Sequence, residues 1–543
     1  MLPIFLILAF APSPNTALHP PLSSSCQTEK EAECRKLPFV PGHNLLGEGL
    51  DIVTMKKTRA SVLDLEEYMK QKTCTVCKNP HQKMARQKLP QSLVDWKPQY
   101  SCSRNIISEV SRSTVSLAEE LASSLKNEWQ AGLELEHLKA NAKLVLAGSQ
   151  SQLNQFTQQK TSSDRYSFVK QRLRCTYYSF RLRHKPPLSK HFKEALMALP
   201  NSYDTNTKSE YQQFIRSFGT HYINQAEVGG EVIDITAVKT CRMAISGVSV
   251  DEVKDCLNME SSVTVTGKGA ANAMYKACKE LSEKATQGDS FHQTFNERTW
   301  QVSGGKVTFD LLSSDGKNEG SAAIFEAWME SLKSHPDVVA YSVESVHNLV
   351  RFNGPKKENL RKAISEYIMA NALRMNCSCP GATYPSHGAK CSCFCLESQN
   401  TNSNCCPTKK GLAKLVVTVQ QAKGLWGDYT SKTDTYVKIG FGRAEVIAPT
   451  VWNNDNPTWN LRFDMGTVEI NALSNLRVEV WDEDNKYDDD LLGKCNKPLT
   501  SGEAAHVCYL QHGHLNYKVS VTCAPHLSGP LCQDYAAARD WNT

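Results

Sequence analysis

Two short stretches carry the clearest chemistry in this chain. The first reads Trp426-Gly427-Asp428-Tyr429-Thr430-Ser431-Lys432-Thr433-Asp434, and the second runs from Trp481 through Asp482, Glu483 and Asp484 to Asp490. Asp428 and Asp434 are separated by five residues; Asp482, Asp484 and Asp490 repeat a one-residue and then a five-residue gap. Five carboxylates gathered at one place repel each other unless a cation neutralises them. Ca2+ takes about six to eight oxygen ligands at about 2.3–2.6 Å. Asp428, Asp434, Asp482, Asp484 and Asp490 could supply most of that shell. Trp426, Tyr429 and Tyr487 ride on the same loops. Aromatic rings with a polar edge suit the water–lipid interface; the alternative is that they pack beneath the loops.

The loops need a scaffold that brings them together, and the flanking sequence offers one. Leu415, Val417 and Val419 alternate with polar residues, as do Leu476, Val478 and Val480, and Leu515, Tyr517, Val519 and Val521. Repeated period-two strands with polar turns predict an antiparallel sandwich, with the acidic loops at one end. The Asp spacing, together with Asn456-Pro457-x-Trp459, resembles the C2 family of calcium- and phospholipid-binding domains over residues 411–521. That resemblance implies that lipid headgroup oxygens complete the calcium shell.

The chain is long enough for three or four domains at about 150 residues each, and its net charge of +6 is small for 543 residues. No sustained basic run interleaved with aromatics is present, so nucleic acid is not an expected partner. Neither Gly-x-Ser-x-Gly nor His-Glu-x-x-His occurs, so no familiar hydrolase motif argues for an enzyme. The apolar N-terminus reads as a secretory signal over residues 1–20, and twenty cysteines suit an exported, disulfide-bonded chain. No later window is apolar enough for a membrane-spanning helix. Residues 375–408 hold seven cysteines in a segment too short for its own core, loosely similar to an EGF-like module. Seven is odd, so one of them should bond outside the segment. Asn376-Cys377-Ser378 is a candidate glycosylation site.

Within residues 26–374 the sequence mixes helix and strand. Ser116 with Glu119 suggests a capping box before an apolar stripe of Leu117, Leu121, Leu125 and Trp129. Thr176 to Arg183 alternates as a strand with Tyr178, Phe180 and Leu182 on one face; 324–332 and 357–373 read as helices. The most telling motif is Tyr211-x6-Phe218-Gly219-Thr220-His221-Tyr222-x6-Gly229-Gly230. A lone histidine such as His221 is read as buried and structural, and the glycines as points of close chain approach.

This motif resembles the signature of the membrane-attack-complex/perforin (MACPF) family, position by position. The resemblance implies an α+β architecture: a bent antiparallel sheet with flanking helical clusters over 26–374, the EGF-like module over 375–408, an all-β C2 sandwich over 411–521, and a tail over 522–543. It implies pairs Cys102–Cys175, Cys495–Cys508 and Cys523–Cys532. It also implies a secreted, non-enzymatic cytolysin of cytotoxic immunity, stored in cytolytic granules. Such a protein binds the phospholipid membrane of a target cell with Ca2+, assembles as a homo-oligomeric ring, and unfurls each helical cluster into a transmembrane β-hairpin. Residues 257–293 carry both periods, with Val263 and Val265 alternating against Thr264, Thr266 and Lys268, while Ala270, Met274, Ala277 and Leu281 recur at helical spacing. The other candidate hairpin, 148–172, reads by itself as a polar loop with only Leu153 and Phe156 apolar over 148–160. Cys256 and Cys278, if bonded, would restrain unfurling unless the bond fits within one hairpin.

Overall fold

The computed structural model describes residues 26–102, 104–135, 143–145, 147–267, 272–286, 297–308, 310, 321–352, 354–372, 374–376, 383–385, 393–427, 429, 431–484 and 488–537. The signal segment, Asp428 and Tyr487 lie outside the described residues. For Asn376 the backbone is described, paired with Lys143 in a short ladder, and its side chain is not.

The first domain is organised on two long antiparallel strands, Tyr166–Leu182 and His221–Lys239. They pair from Gln225–Arg181 to Lys239–Tyr166, with one bulge between Val228 and Gly229. Asp337–Ser345 and Arg298–Ser303 pair with successive halves of His221–Lys239, while Leu93–Cys102 and Ile107–Ser111 line Tyr166–Leu182. Tyr178, Phe180 and Leu182 are buried as the alternation predicts, and the strand begins ten residues earlier than Thr176, at Tyr166. Helices Ser321–Leu332 and Lys356–Asn371 bury Phe325, Trp328, Leu360, Ile364 and Ile368 in the same core.

Two helical excursions interrupt the sheet. One includes Thr114–Leu121 and Gln152–Thr161; the other holds Val250–Thr266 and Asn272–Thr286. The first helix differs from the sequence reading. Its N-cap is Ser113, whose hydroxyl accepts the Ser116 N–H at 3.1 Å, so the helix starts earlier and ends at Leu121. Leu125 leaves the stripe to bridge Tyr341, and Trp129 sits in a turn. Residues 152–161 are helical rather than a polar loop. Ser151 accepts the Asn154 N–H, and buried Leu153 with part-buried Phe156 packs on Phe168 and Ile235. Among the described residues no helix is long and apolar enough to cross a membrane.

Disulfides join Cys102 to Cys175, Cys495 to Cys508 and Cys523 to Cys532. Cys256 is bonded to Cys278. Cys406 bonds outside its cysteine-rich segment to Cys241, at the end of the long strand His221–Lys239. The C-terminal domain is a sandwich of two four-stranded sheets. Thr458–Glu469, Leu412–Lys423, His514–Cys523 and Gly502–Tyr509 form one; Ala444–Ile447, Thr435–Phe441, Asn475–Asp482 and Asp490–Pro498 form the other. Leu415, Val417, Val419, Leu476, Val478, Val480, Leu515, Tyr517, Val519 and Val521 all lie in the core between them.

Candidate functional site

Strand register brings the acidic loops to one end of the sandwich. Asp434 immediately precedes the strand Thr435–Phe441, and Thr435 pairs with Asp482. Asp482 in turn pairs with Asp490 across the next two strands. Asp482 is almost fully buried, and its Oδ1 accepts the Asp434 N–H at 2.6 Å. Gly427 lies so close that a Cβ there would come within 1.8 Å of Asp482 Oδ2. The first loop is therefore laid directly over the carboxylate of the second, and only glycine fits at that contact. Asp484 lies on the exposed side of the same end. Among the described residues no three acidic, histidine or cysteine side chains converge closely enough to hold a metal ion. The donors on these loops are nonetheless all oxygen, the set a hard cation such as Ca2+ takes.

Trp426 and Tyr429 do not pack beneath the loops. Trp426 is 45% exposed and Tyr429 92% exposed. Their rings meet edge to face at 5.0 Å, and Trp426 also meets His512 at 4.9 Å.

A third loop, over residues 449–456, belongs to the same end, and of its residues the sequence motif marks only Asn456. The Asn453 N–H donates to Asp434 Oδ1 at 2.5 Å, and the Thr450 hydroxyl donates to Glu483. Asp455 accepts both the N–H and the hydroxyl of Thr433, at 3.1 and 2.9 Å. This loop carries Trp452, which is 63% exposed. The nearby Asn456-Pro457-x-Trp459 segment marked the region, but a single tryptophan among polar residues gives no periodic signal.

The Tyr211–Tyr222 motif serves the sheet. Tyr211, Phe214, Ile215 and Phe218 form the buried face of the helix Lys208–Phe218. Gly219 ends it with φ +77, where a Cβ would strike the Leu50 carbonyl at 2.6 Å. Thr220 is buried; its hydroxyl accepts the Ile52 N–H at 3.0 Å. His221 is fully buried, with Nε2 against the Trp129 carbonyl and Nδ1 against the Thr220 hydroxyl, each at 2.8 Å. Burial holds its imidazole down to about 4, so the ring is neutral and structural. The Tyr222 hydroxyl donates to Glu344 at 2.7 Å. Gly229 sits at the bulge, where a Cβ would lie 2.0 Å from the Cys175 carbonyl; Gly230 packs under Trp328 and Leu332. The motif therefore fixes a helix against the sheet and sets the bend in its longest strand.

The MAC/Perforin domain family matches residues 39–376, well over half of the chain. This chain belongs to the MAC/perforin family. The C2 domain family matches residues 413–513 of the same chain. Perforin-1 of Mus musculus is 40% identical over 524 residues, which span 95% of this chain and 94% of that protein. Perforin-1 of Homo sapiens is 39% identical over 518 residues, covering 94% and 93%. The complement component C8 alpha chain of Oryctolagus cuniculus is 26% identical over 256 residues, covering 45% of this chain and 42% of that one. The two Perforin-1 alignments are long enough to take in both the MAC/perforin and C2 domains; the complement alignment covers less than half of the chain.

Proposed function

We propose that this chain is a secreted, calcium-dependent, pore-forming cytolysin. Its C2 domain binds target-cell phospholipid through Ca2+ held by Asp428, Asp434, Asp482, Asp484 and Asp490, with headgroup oxygens closing the shell. Trp426, Tyr429 and Tyr487 enter the interface beside the ion. Several copies then assemble into a ring, and the two helical excursions of each MAC/perforin domain re-form as β-hairpins of one transmembrane barrel. Closure of the ring satisfies the backbone groups of every strand, which an open sheet in lipid cannot do. The work is mechanical; no bond of the target is cleaved.

One observation carries this reading. Each helical excursion lies between two strands that already pair antiparallel, Ile107–Ser111 with Tyr166–Leu182 and His221–Lys239 with Arg298–Ser303, so extending the existing ladders is enough to lengthen the sheet. Exposed Trp426 and Tyr429 beside the acidic loops support membrane contact at the C2 end. The test is leakage of a trapped dye from phosphatidylcholine vesicles, with Ca2+ and with chelator, together with electron microscopy of the same vesicles. Leakage and rings only with Ca2+ are expected. Binding without leakage would reject the pore, and leakage unaffected by chelation would reject the calcium step.

A further inference from the structure

The second excursion is spanned by the Cys256–Cys278 bond, which at first sight should prevent its helices from opening into a hairpin. The register of the sheet says otherwise. Arg298–Ser303 pairs with the long strand as Glu231–Ser303, Val232–Val302, Ile233–Gln301, Asp234–Trp300, Ile235–Thr299 and Thr236–Arg298, and the partner numbers always add to 534. The Ala237 N–H continues the same ladder by donating to the Glu297 carbonyl at 2.8 Å. The numbers 256 and 278 add to 534 as well. Continued inward without a slip, this ladder places Cys256 directly opposite Cys278 and centres the turn on Gly267.

Three further features agree with that register. The Ala237–Glu297 bond marks odd-numbered residues as the hydrogen-bonded pairs, so even-numbered Cys256 and Cys278 form a non-hydrogen-bonded pair. Cα atoms at such pairs are about 4.5 Å apart and the side chains are closest, which suits a disulfide. The domain already uses this device: Cys102 and Cys175 are both bonded and direct cross-strand partners, as are Cys26 and Cys77, with Cα atoms 4.1 Å apart in each case.

The second feature is side-chain alternation. Because 534 is even, opposite residues share parity and therefore a face. One face pairs Leu257 with Ala277, Met259 with Tyr275 and Ser261 with Ala273, and carries Val263 and Val265 beyond them. The other pairs Asn258 with Lys276, Glu260 with Met274 and Ser262 with Asn272. The third feature is length. Ten residues lie between each cysteine and Gly267, on either side, and a barrel strand needs about 9–11 to cross. Just beyond the cysteines that face is first interrupted by charge, with Asp255 opposite Lys279; Val253 opposite Leu281 is the next pair, and Asp251 opposite Glu283 follows it.

We infer that the Cys256–Cys278 disulfide persists in the inserted state as a cross-strand staple at the membrane boundary, and that Leu257, Met259, Val263, Val265, Ala273, Tyr275 and Ala277 form the lipid-facing side of the hairpin. The inference rests on the pore-forming reading above and assigns its lipid surface and register. Tyr275 and Met274 give a matched test, because they are adjacent and both exposed in the helical form, at 62% and 45%. Either can become lysine without disturbing that fold. Tyr275→Lys puts a charge in lipid, and Met274→Lys puts one on the aqueous side. With Ca2+ and phosphatidylcholine vesicles, Tyr275→Lys should bind normally but leak at least about ten-fold less dye, while Met274→Lys leaks as the parent does. Digestion of vesicle-inserted protein without reductant, followed by mass spectrometry, should recover the 256 and 278 peptides still linked. Equal effects of the two lysines, the reverse order, or a broken bond in the leaking state would overturn the register. Absence of leakage by the parent protein would instead overturn the pore-forming reading on which it rests.

Discussion

Acid should weaken the MAC/perforin domain through two buried histidines, and the size of the effect can be worked out. His347 is 3% exposed, its Nδ1 is 2.8 Å from the Ser345 hydroxyl, and burial with nearby Lys357 and Arg361 holds its imidazole down to about 4. In an unfolded chain the same ring titrates near ~6.5. The folded value is the lower one, so the unfolded chain takes up the proton first. The stabilising contribution is therefore whole above ~6.5 and is lost as pH falls toward about 4. Each pH unit in that window is worth about 1.4 kcal/mol, giving about 2 kcal/mol by pH ~5 and about 3 kcal/mol in full. His221, also held at about 4, adds to the loss in the same window. Buried Asp234 works in the opposite sense: burial pushes its carboxyl up to about 7 despite Arg298 at 2.9 Å, so its contribution is present at low pH and fades as pH rises toward neutrality. Comparing the parent with His347→Gln cancels that opposing trend. Denaturant unfolding followed by circular dichroism at about pH 7 and about pH 5 should show the parent losing about 2 kcal/mol more than the variant. An equal loss in both proteins would refute a neutral, buried His347.

Three other substitutions probe separate parts of the molecule. Gly229→Ala should destabilise the domain by about 3 kcal/mol or more, read as a lowered denaturant midpoint, because its Cβ would meet the Cys175 carbonyl at 2.0 Å. Asp484→Ala should abolish calcium-dependent sedimentation with neutral vesicles while leaving the melting temperature in chelator unchanged, since the side chain lies on the exposed side of the loops. Tyr429→Ala removes a ring that is 92% exposed, so it should leave folding intact and weaken vesicle binding several-fold at saturating Ca2+.

What could be read from the sequence was what had a period. The C2 strands are legible because Leu, Val and Tyr occupy every second position and one face meets the core. That the acidic loops meet at one end of the sandwich is legible because the period-two strands flanking them fix where each loop falls. Local hydrogen bonding was harder to see. Ser113 and Ser116 can each cap a helix, and the chain uses Ser113 because it leaves Val115, Leu117 and Ala118 facing the core. Residues 152–161 looked too polar for a packed helix, yet Leu153 and Phe156 suffice when Phe168 and Ile235 lie beneath them. The placement of Trp452 has no signal of its own in the sequence, because its loop is held by partners distant in the chain, Asp434 and Glu483.

The described residues of the segment with two periods are helical apart from Gly267, and the local preferences along Val250–Thr266 are uneven. Val250–Thr266 is fixed at its start by a complete capping box, Ser249 with Glu252, and is buried along its length, at Val253, Cys256 and Leu257 and again at Ser261, Thr264 and Val265. Its last four residues are Val263, Thr264, Val265 and Thr266, all β-branched, which lose rotamer freedom in a helix and fit a strand. Gly267 then ends it in the left-handed conformation, at φ 66. Helical preference thus declines from Ser249 toward Gly267. In the proposed register Gly267 would also be the turn of the hairpin, the part farthest from the existing strands. Intrinsic helical preference is therefore lowest at the end that would lie deepest in the bilayer in the proposed hairpin, even though Thr264 and Val265 there are buried in this state. In the proposed exchange of helix for strand, the β-branched tip would convert first and Cys256 and Cys278 would stay joined throughout.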